Sequence, residues 1–186
     1  MSQTTRVFIF VVGLLLWWSV AVMAEEVRVR SYPLPDHGKL QLKVPVSWKD
    51  ELQQPPSRLP PTIVFKPTRG AAFEVLLTTI WPAKQDTPRS TPEEMRRQVE
   101  RAAEGAKSQA IEKVIEVKEL KGSSGLGYYF SATDRAPAPG EYKYMTQGMI
   151  RIGGLIGAFT ILTNDGQTSV ITDAIAMIGS ANQVND

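Results

Sequence analysis

Residues 141–163 read EYKYMTQGMIRIGGLIGAFTILT, and this stretch decides the fold. Two runs of strand character, Glu141 to Ile152 and Leu155 to Thr163, flank Gly153 and Gly154. A glycine pair between two such runs predicts a tight hairpin. A hairpin joins antiparallel strands, whereas a parallel crossover needs a dozen or more residues. The neighbouring runs obey the same rule. Leu126 to Thr133 reads as a strand, followed by a loop over Asp134 to Gly140 that contains Pro137 and Pro139. Before it, Lys113 to Lys121 reads as a strand with Ile115 and Val117 inward, and Gly122 to Gly125 forms the turn between them.

The N-terminal half repeats the pattern. Glu26 to Ser31 and Leu40 to Val44 alternate apolar and polar residues around a turn at Asp36, His37 and Gly38. Ser47 is placed to cap a short helical turn from Trp48 to Leu52. Thr62 to Lys66 and Ala72 to Trp81 read as strands. In the second, Phe73, Val75, Leu77 and Trp81 point one way and Leu76 and Ile80 the other, which predicts a central strand covered on both faces.

Two helices interrupt the strands. The first spans about Pro92 to Ala110. Thr91 as N-cap, Pro92 at the first helical position and Glu94 at the third make a capping box. Met95, Val99, Ala102, Ala103, Ala106 and Ala110 repeat at helical spacing. The second runs from about Thr168 to Ser180, with Val170, Ile171, Ala174, Ile175 and Ile178 on one face, after a turn at Asn164 to Gly166. The expected fold is α+β: a mostly antiparallel sheet covered by amphipathic helices.

The N-terminus fixes location. Residues 7–24 are apolar apart from Gly13 and Ser19, follow Arg6, and end at Val22-Met23-Ala24 before Glu25 and Glu26. This is the layout of a secretory signal over residues 1–24, ahead of a single domain over 25–186. The run also approaches the lower length of a membrane span, so a retained N-terminal anchor is the alternative. Either reading places the domain outside the cytoplasm, in a periplasm or another lumen. Without its first 24 residues the 186-residue chain keeps 162, enough for one buried core. The chain has 21 Lys and Arg against 19 Asp and Glu. Arg6 is the only charge in the leader, so the remainder carries +1, a balance that argues against a nucleic-acid partner.

The chain has no cysteine, which excludes disulfides, thiol catalysis and cysteine metal sites. The single histidine, His37, beside Asp36, reads as a turn residue, since a metal site needs several converging ligands. Glu93, Glu94, Glu100 and Glu104 interleave with Arg96, Arg97 and Arg101 on one helix and read as a solvated face, not a glycosidase pair. The glycines from Gly122 to Gly127 lead into a strand without a P-loop lysine. Tyr128, Tyr129, Phe130, Tyr142 and Tyr144 read as sheet packing. Trp48 reads as core. No catalytic, metal or cofactor-binding residue is assigned.

The order of landmarks resembles the PsbP/Mog-like superfamily, which includes photosystem II extrinsic PsbP proteins and DcrB-like envelope proteins. The stretch Gly38 to Trp48, with Pro45 three before Trp48, resembles its opening strand. Ile63 to Trp81 resembles the next strand pair. The capped helix, Gly127 to Phe130, the long hairpin and the final helix follow in the same order, so the likeness covers residues 26–180. It implies an antiparallel sheet between helices and a non-catalytic binding or assembly module. Histidine-based metal binding does not carry over, because only His37 is present.

The expected function is therefore an exported, non-enzymatic module supporting a membrane or envelope complex through a protein partner. A small-molecule or lipid-binding protein with a cavity between sheet and helix is the alternative, and a hydrolase the third. Three proline-rich loops, residues 53–61, 81–91 and 135–140, are the expected partner surface, with Arg58, Lys84 and Arg135 at the rim.

Overall fold

The computed structural model describes residues 25–55, 60–81 and 91–185. Five strands come first: β1 (Val27–Pro33), β2 (Lys39–Pro45), β3 (Trp48–Gln53), β4 (Thr62–Pro67) and β5 (Glu74–Ile80). Helix α1 (Pro92–Ala106) leads to β6 (Lys118–Lys121), β7 (Leu126–Thr133), β8 (Tyr144–Ile152) and β9 (Leu155–Thr163). Helix α2 (Thr168–Gly179) and β10 (Asn182–Val184) close the chain.

The strands form two sheets, ordered β1-β2-β10 and β3-β4-β5-β9-β8-β7-β6. Every strand pairing among the described residues is antiparallel. Strands β3 to β5 form a meander. The connection through α1 then reaches the far edge of the large sheet, and β6 to β9 return until β9 pairs with β5. The hairpin at residues 153–154 pairs Ile152 with Leu155, and Gly153 takes φ 61°, which a glycine adopts at no steric cost.

Strand alternation sorts the large sheet into two covered faces. On one face Phe65, Phe159 and Ile161 pack with Leu40, Leu42 and Val44 of the small sheet and with Ala174, Met177 and Ile178 of α2. On the other, Tyr128, Phe130 and Ala132 of β7 pack under Met95, Val99 and Ala103 of α1. The capping box is present in full: the Thr91 hydroxyl accepts from Glu94 N, and Thr91 N donates to the Glu94 carboxylate at 2.8 Å. This is the expected α+β antiparallel architecture.

Four local expectations are corrected. Residues 48–53 are strand β3, not a helical turn. Trp48 is buried while Lys49, Glu51 and Gln53 are exposed, a period of two that pairing with β4 selects over helix. Ser47 donates instead to the Glu25 carboxylate. Helix α1 ends at Ala106 because Ala110 bridges to Asp134 at the end of β7. Only Lys118–Lys121 of the expected Lys113–Lys121 strand forms, since Glu112 takes the Thr133 amide and hydroxyl at 2.9 and 2.6 Å with its side chain. Strand β8 begins at Tyr144, not at Glu141.

Tyr32 is 5 % exposed and meets Phe65 edge-on at 6.2 Å. Burial first, then the Asp50 carboxylate, pushes its phenol far above the ordinary value, against the opposing pull of Arg30 and Arg28. The folded chain therefore keeps a proton that the unfolded chain releases near pH 10. The resulting stability is intact below that pH and is lost as pH rises beyond it. The denaturant midpoint is expected to fall above pH 10, and to fall less steeply in Tyr32→Phe. Equal slopes in the two proteins would show that Tyr32 titrates as an ordinary phenol.

Candidate binding groove

Helix α1 lies over β7 and β8 and leaves the adjoining strip of β9 and β5 on the same face without a described element above it. The flank of the helix and this strip form a groove. Gln98, Ala102 and Ala106, each four residues apart, make the helical wall. The floor alternates along the strands: Met145, Gln147 and Met149 from β8, Ala158, Thr160 and Leu162 from β9, and Leu76 and Thr78 from β5. These floor residues are half-buried, because the strand period turns them away from the α2 core.

Two connected hollows occupy the groove, sharing Ala102 and Gln147. The larger is about 610 Å3 and ends at Thr133, Asp134 and residues 140–143. The smaller is about 290 Å3 and continues over Leu76 and Ala158. Alanines on the wall keep the helix surface low, and two methionines give a floor that adapts its shape. Amide side chains of Gln98, Gln109 and Gln147 supply donors and acceptors beside the apolar surface.

This end is held by its own hydrogen bonds. Asp134 accepts from Ala136 N at 2.9 Å, and Glu141 accepts from Ala138 N at 3.0 Å. Lys143 reaches Asp165 at 2.9 Å, and the Tyr144 hydroxyl donates to the same carboxylate at 2.6 Å. The Tyr144 and Lys143 hydrogen bonds hold Asp165 below the usual carboxylate range, and the Asp165 bond raises Lys143. Tyr142, on the groove wall, is pushed up by burial and by nearby Glu74, with Lys66 opposing.

Of the rim residues expected from sequence, Arg135 sits at this end. Its amide donates to Gln109 O at 2.9 Å and its guanidinium to Ala110 O at 2.8 Å, so it ties the exit of α1 to the loop after β7. Arg58 and Lys84 lie outside the described residues, as do residues 1–24, read above as a signal, and most of the second proline-rich loop. His37 stacks on Trp81 with ring centroids 4.5 Å apart. Glu100 pairs with Arg96 at 2.9 Å on the solvated side of α1. The 122–125 turn closes through Gly122 N to Gly125 O, and Ser123 and Ser124 donate to Ala181 O beyond α2. Of the groove wall the sequence singled out Ala102 and Ala106, as part of the apolar face of the helix; Ala102 is exposed and Ala106 half-buried, so they line the groove. The signal for the floor was the half-polar alternation Met145, Gln147, Met149, which pairing alone does not distinguish from a covered strand.

These features define a two-sheet antiparallel α+β protein with a helix-walled groove. No protein-family model matches the chain, and no curated protein matches it. Among solved structures it is similar to cyanobacterial PsbP (CyanoP) from Synechocystis sp. PCC 6803, at 12 % identity and TM-score 0.51, covering 88 % of this chain and 96 % of that one. A crystallised protein of Bacteroides thetaiotaomicron VPI-5482 matches at 9 % identity and TM-score 0.47, over 79 % of this chain and 46 % of that one. The fold is PsbP-like.

Proposed function

We propose that this protein is an exported, non-catalytic binding module that receives a segment of a partner protein in the α1 groove. The observation that carries the reading is the half-buried strip of β9 and β5 beside α1, where Leu76, Ala158 and Leu162 alternate with Thr78 and Thr160 and the Gln98, Gln109 and Gln147 amides stand close by. An extended or irregular segment has backbone groups that need partners once buried, and Gln98, Gln109 and Gln147 offer them. Pure hydrocarbon would leave those amides without partners. The N-terminal apolar run supports placement in a periplasm or similar lumen, and the partner then belongs to a membrane or envelope complex. Among the described residues no helix is long and apolar enough to cross a membrane. Arg135 forms part of the rim, where charge acts mainly on association rate and salt dependence.

Ala102 is exposed, so Ala102→Trp fills the groove without entering the core. Its helix-propensity cost is below about 0.7 kcal/mol. Ala102→Trp is expected to fold with a near-unchanged melting temperature and to bind the partner isolated with the wild-type chain at least ten-fold more weakly, about 1.4 kcal/mol. Retention of that partner at full affinity would place the contact elsewhere. The alternative, a lipid ligand, is favoured by the Met and Leu floor. Solvent extraction of the purified native protein decides between them, since one lipid per chain would replace the protein partner.

A further inference from the structure

The small sheet ends at β1, which pairs only with β2 among the described residues. In an antiparallel pair the backbone groups of successive residues point alternately to one neighbour and the other. The register shows which ones face outward. Lys43 stands opposite Val29, yet its amide donates away from β1, to the Ser180 hydroxyl at 2.9 Å. Val29 and Lys43 are therefore a non-hydrogen-bonded pair, and the N–H and C=O of Val29 point off the open edge. Val27 and Ser31 point the same way. The Val46 amide donates to Glu26 O at 2.9 Å, which sets the same phase from the other end of the strand.

The other sheet edges are short, guarded or already met. Strand β10 has three residues, and β6 has four with Lys118 and Lys121 at its ends. Lysine on an edge strand deters pairing. On β3, the Trp48 carbonyl accepts from Arg28 at 3.2 Å, and Asp50 meets Arg30 at 3.1 Å. Strand β1 is seven residues long, and its outward groups at 27, 29 and 31 have no partner among the described residues. Its two rows of side chains differ. Val27, Val29 and Ser31 are exposed and uncharged on the outer face. Arg28 and Arg30 lie on the inner face, opposite Val44 and Leu42. Glu26 precedes them on that face, so the cationic stretch begins at Arg28. The Arg30 side chain remains 40 % exposed beside Asp50. A guanidinium has several N–H donors in a planar fork, so each arginine can serve a further acceptor.

We infer that β1 receives an extended segment of a partner protein as an added strand, with carboxylates beside Arg28 and Arg30 and apolar side chains beside Val27 and Val29. Main-chain hydrogen bonds to residues 27, 29 and 31 supply affinity, and the two alternating rows supply selectivity. Charge argues against a second copy of this chain as the occupant. Antiparallel pairing of β1 with itself, centred at residue 28, 29 or 30, sets arginine opposite arginine, and like charges directly opposite destabilise a pair. This edge belongs to the small sheet, whereas the groove lies beside α1 on the far face of the large one. The inference is independent of what the groove binds.

The probes are two acetylated heptapeptides, one alternating valine with glutamate and one alternating valine with lysine. Amide exchange of the isotope-labelled full chain in mild detergent is followed by NMR with each. The glutamate peptide is expected to slow exchange at Val27, Val29 and Ser31 by at least about five-fold. The amides of Arg28, Arg30 and Tyr32, already turned to β2, should change little. Arg28→Glu should reverse the preference, weakening the glutamate peptide about ten-fold and favouring the lysine one. Val29→Pro removes an outward donor without touching a bond to β2, at a position where an edge strand tolerates proline, and should fold and lose the peptide. If Val29→Pro does not fold, the Arg28→Glu comparison decides. Unchanged exchange at 27, 29 and 31 under saturating glutamate peptide overturns the inference, as does equal binding of the two peptides. Protection that grows with chain concentration alone also overturns it, because the occupant would then be a second copy. Ala102→Trp should leave peptide binding unchanged, so the groove reading and this one fail separately.

Discussion

Replacing Trp48 with Ala is expected to lower the unfolding free energy by about 3–5 kcal/mol. The ring is 2 % exposed and packs against Phe73, with centroids 4.8 Å apart and planes tilted by 55°. It lies where the chain passes from the small sheet into the large one, so its removal opens a cavity in the core both sheets share. The Trp48 carbonyl also accepts from Arg28 of β1 at 3.2 Å, a second tie across the same junction that the substitution leaves in place. Urea titration of both proteins measures the effect, and the melting temperature should drop by on the order of 10 °C. An unchanged midpoint would mean that the ring lies in solvent.

Gly148→Ala should destabilise the fold by about 3 kcal/mol, at the upper end of overpacking costs. Gly148 stands between Tyr129 on β7 and Phe159 on β9 in the sheet register. A Cβ there would lie 2.4 Å from Tyr128 O and 2.6 Å from both the Phe159 ring and Tyr129 Cβ. The backbone oxygen cannot rotate away, and Phe159 is only 2 % exposed. Phe159→Leu in the same chain should recover part of the loss, because it removes one of the three clashes. A Gly148→Ala protein with wild-type stability would show that the strands separate more easily than this packing allows.

The PsbP-like likeness at 12 % identity concerns the fold, and identity that low shows how little of that fold depends on particular residues. What carries the fold in this chain is a pattern: apolar alternation along strands, a capped helix and short turns. Local physics writes these directly into a sequence. Leu126–Thr133 and Leu155–Thr163 form as read because glycine turns bound them on one side and polar loops on the other. The start of α1 forms as read because Thr91, Pro92 and Glu94 satisfy its first amides locally.

Where the sequence reading went astray, a distant residue decided. Trp48 to Leu52 has a composition compatible with a helical turn, and only pairing with β4 made it a strand. The segment after α1 lost its first strand residues because Glu112, through its side chain, met Thr133 twenty-one positions away. Strand β10 carries no pattern of its own. It exists because the edge of β2 was open beside the end of α2.

The groove follows the same division. Sequence by itself determined an α+β chain with two amphipathic helices, because caps, turns and periodicity act over a few residues. Only the tertiary structure decided that α1 covers β7 and β8 and leaves the strip of β9 and β5 open. That choice depends on which strands meet which face of the helix. The contacts responsible, such as Met95 against Phe130, join residues dozens of positions apart, and their packing is fixed only when the sheet has closed.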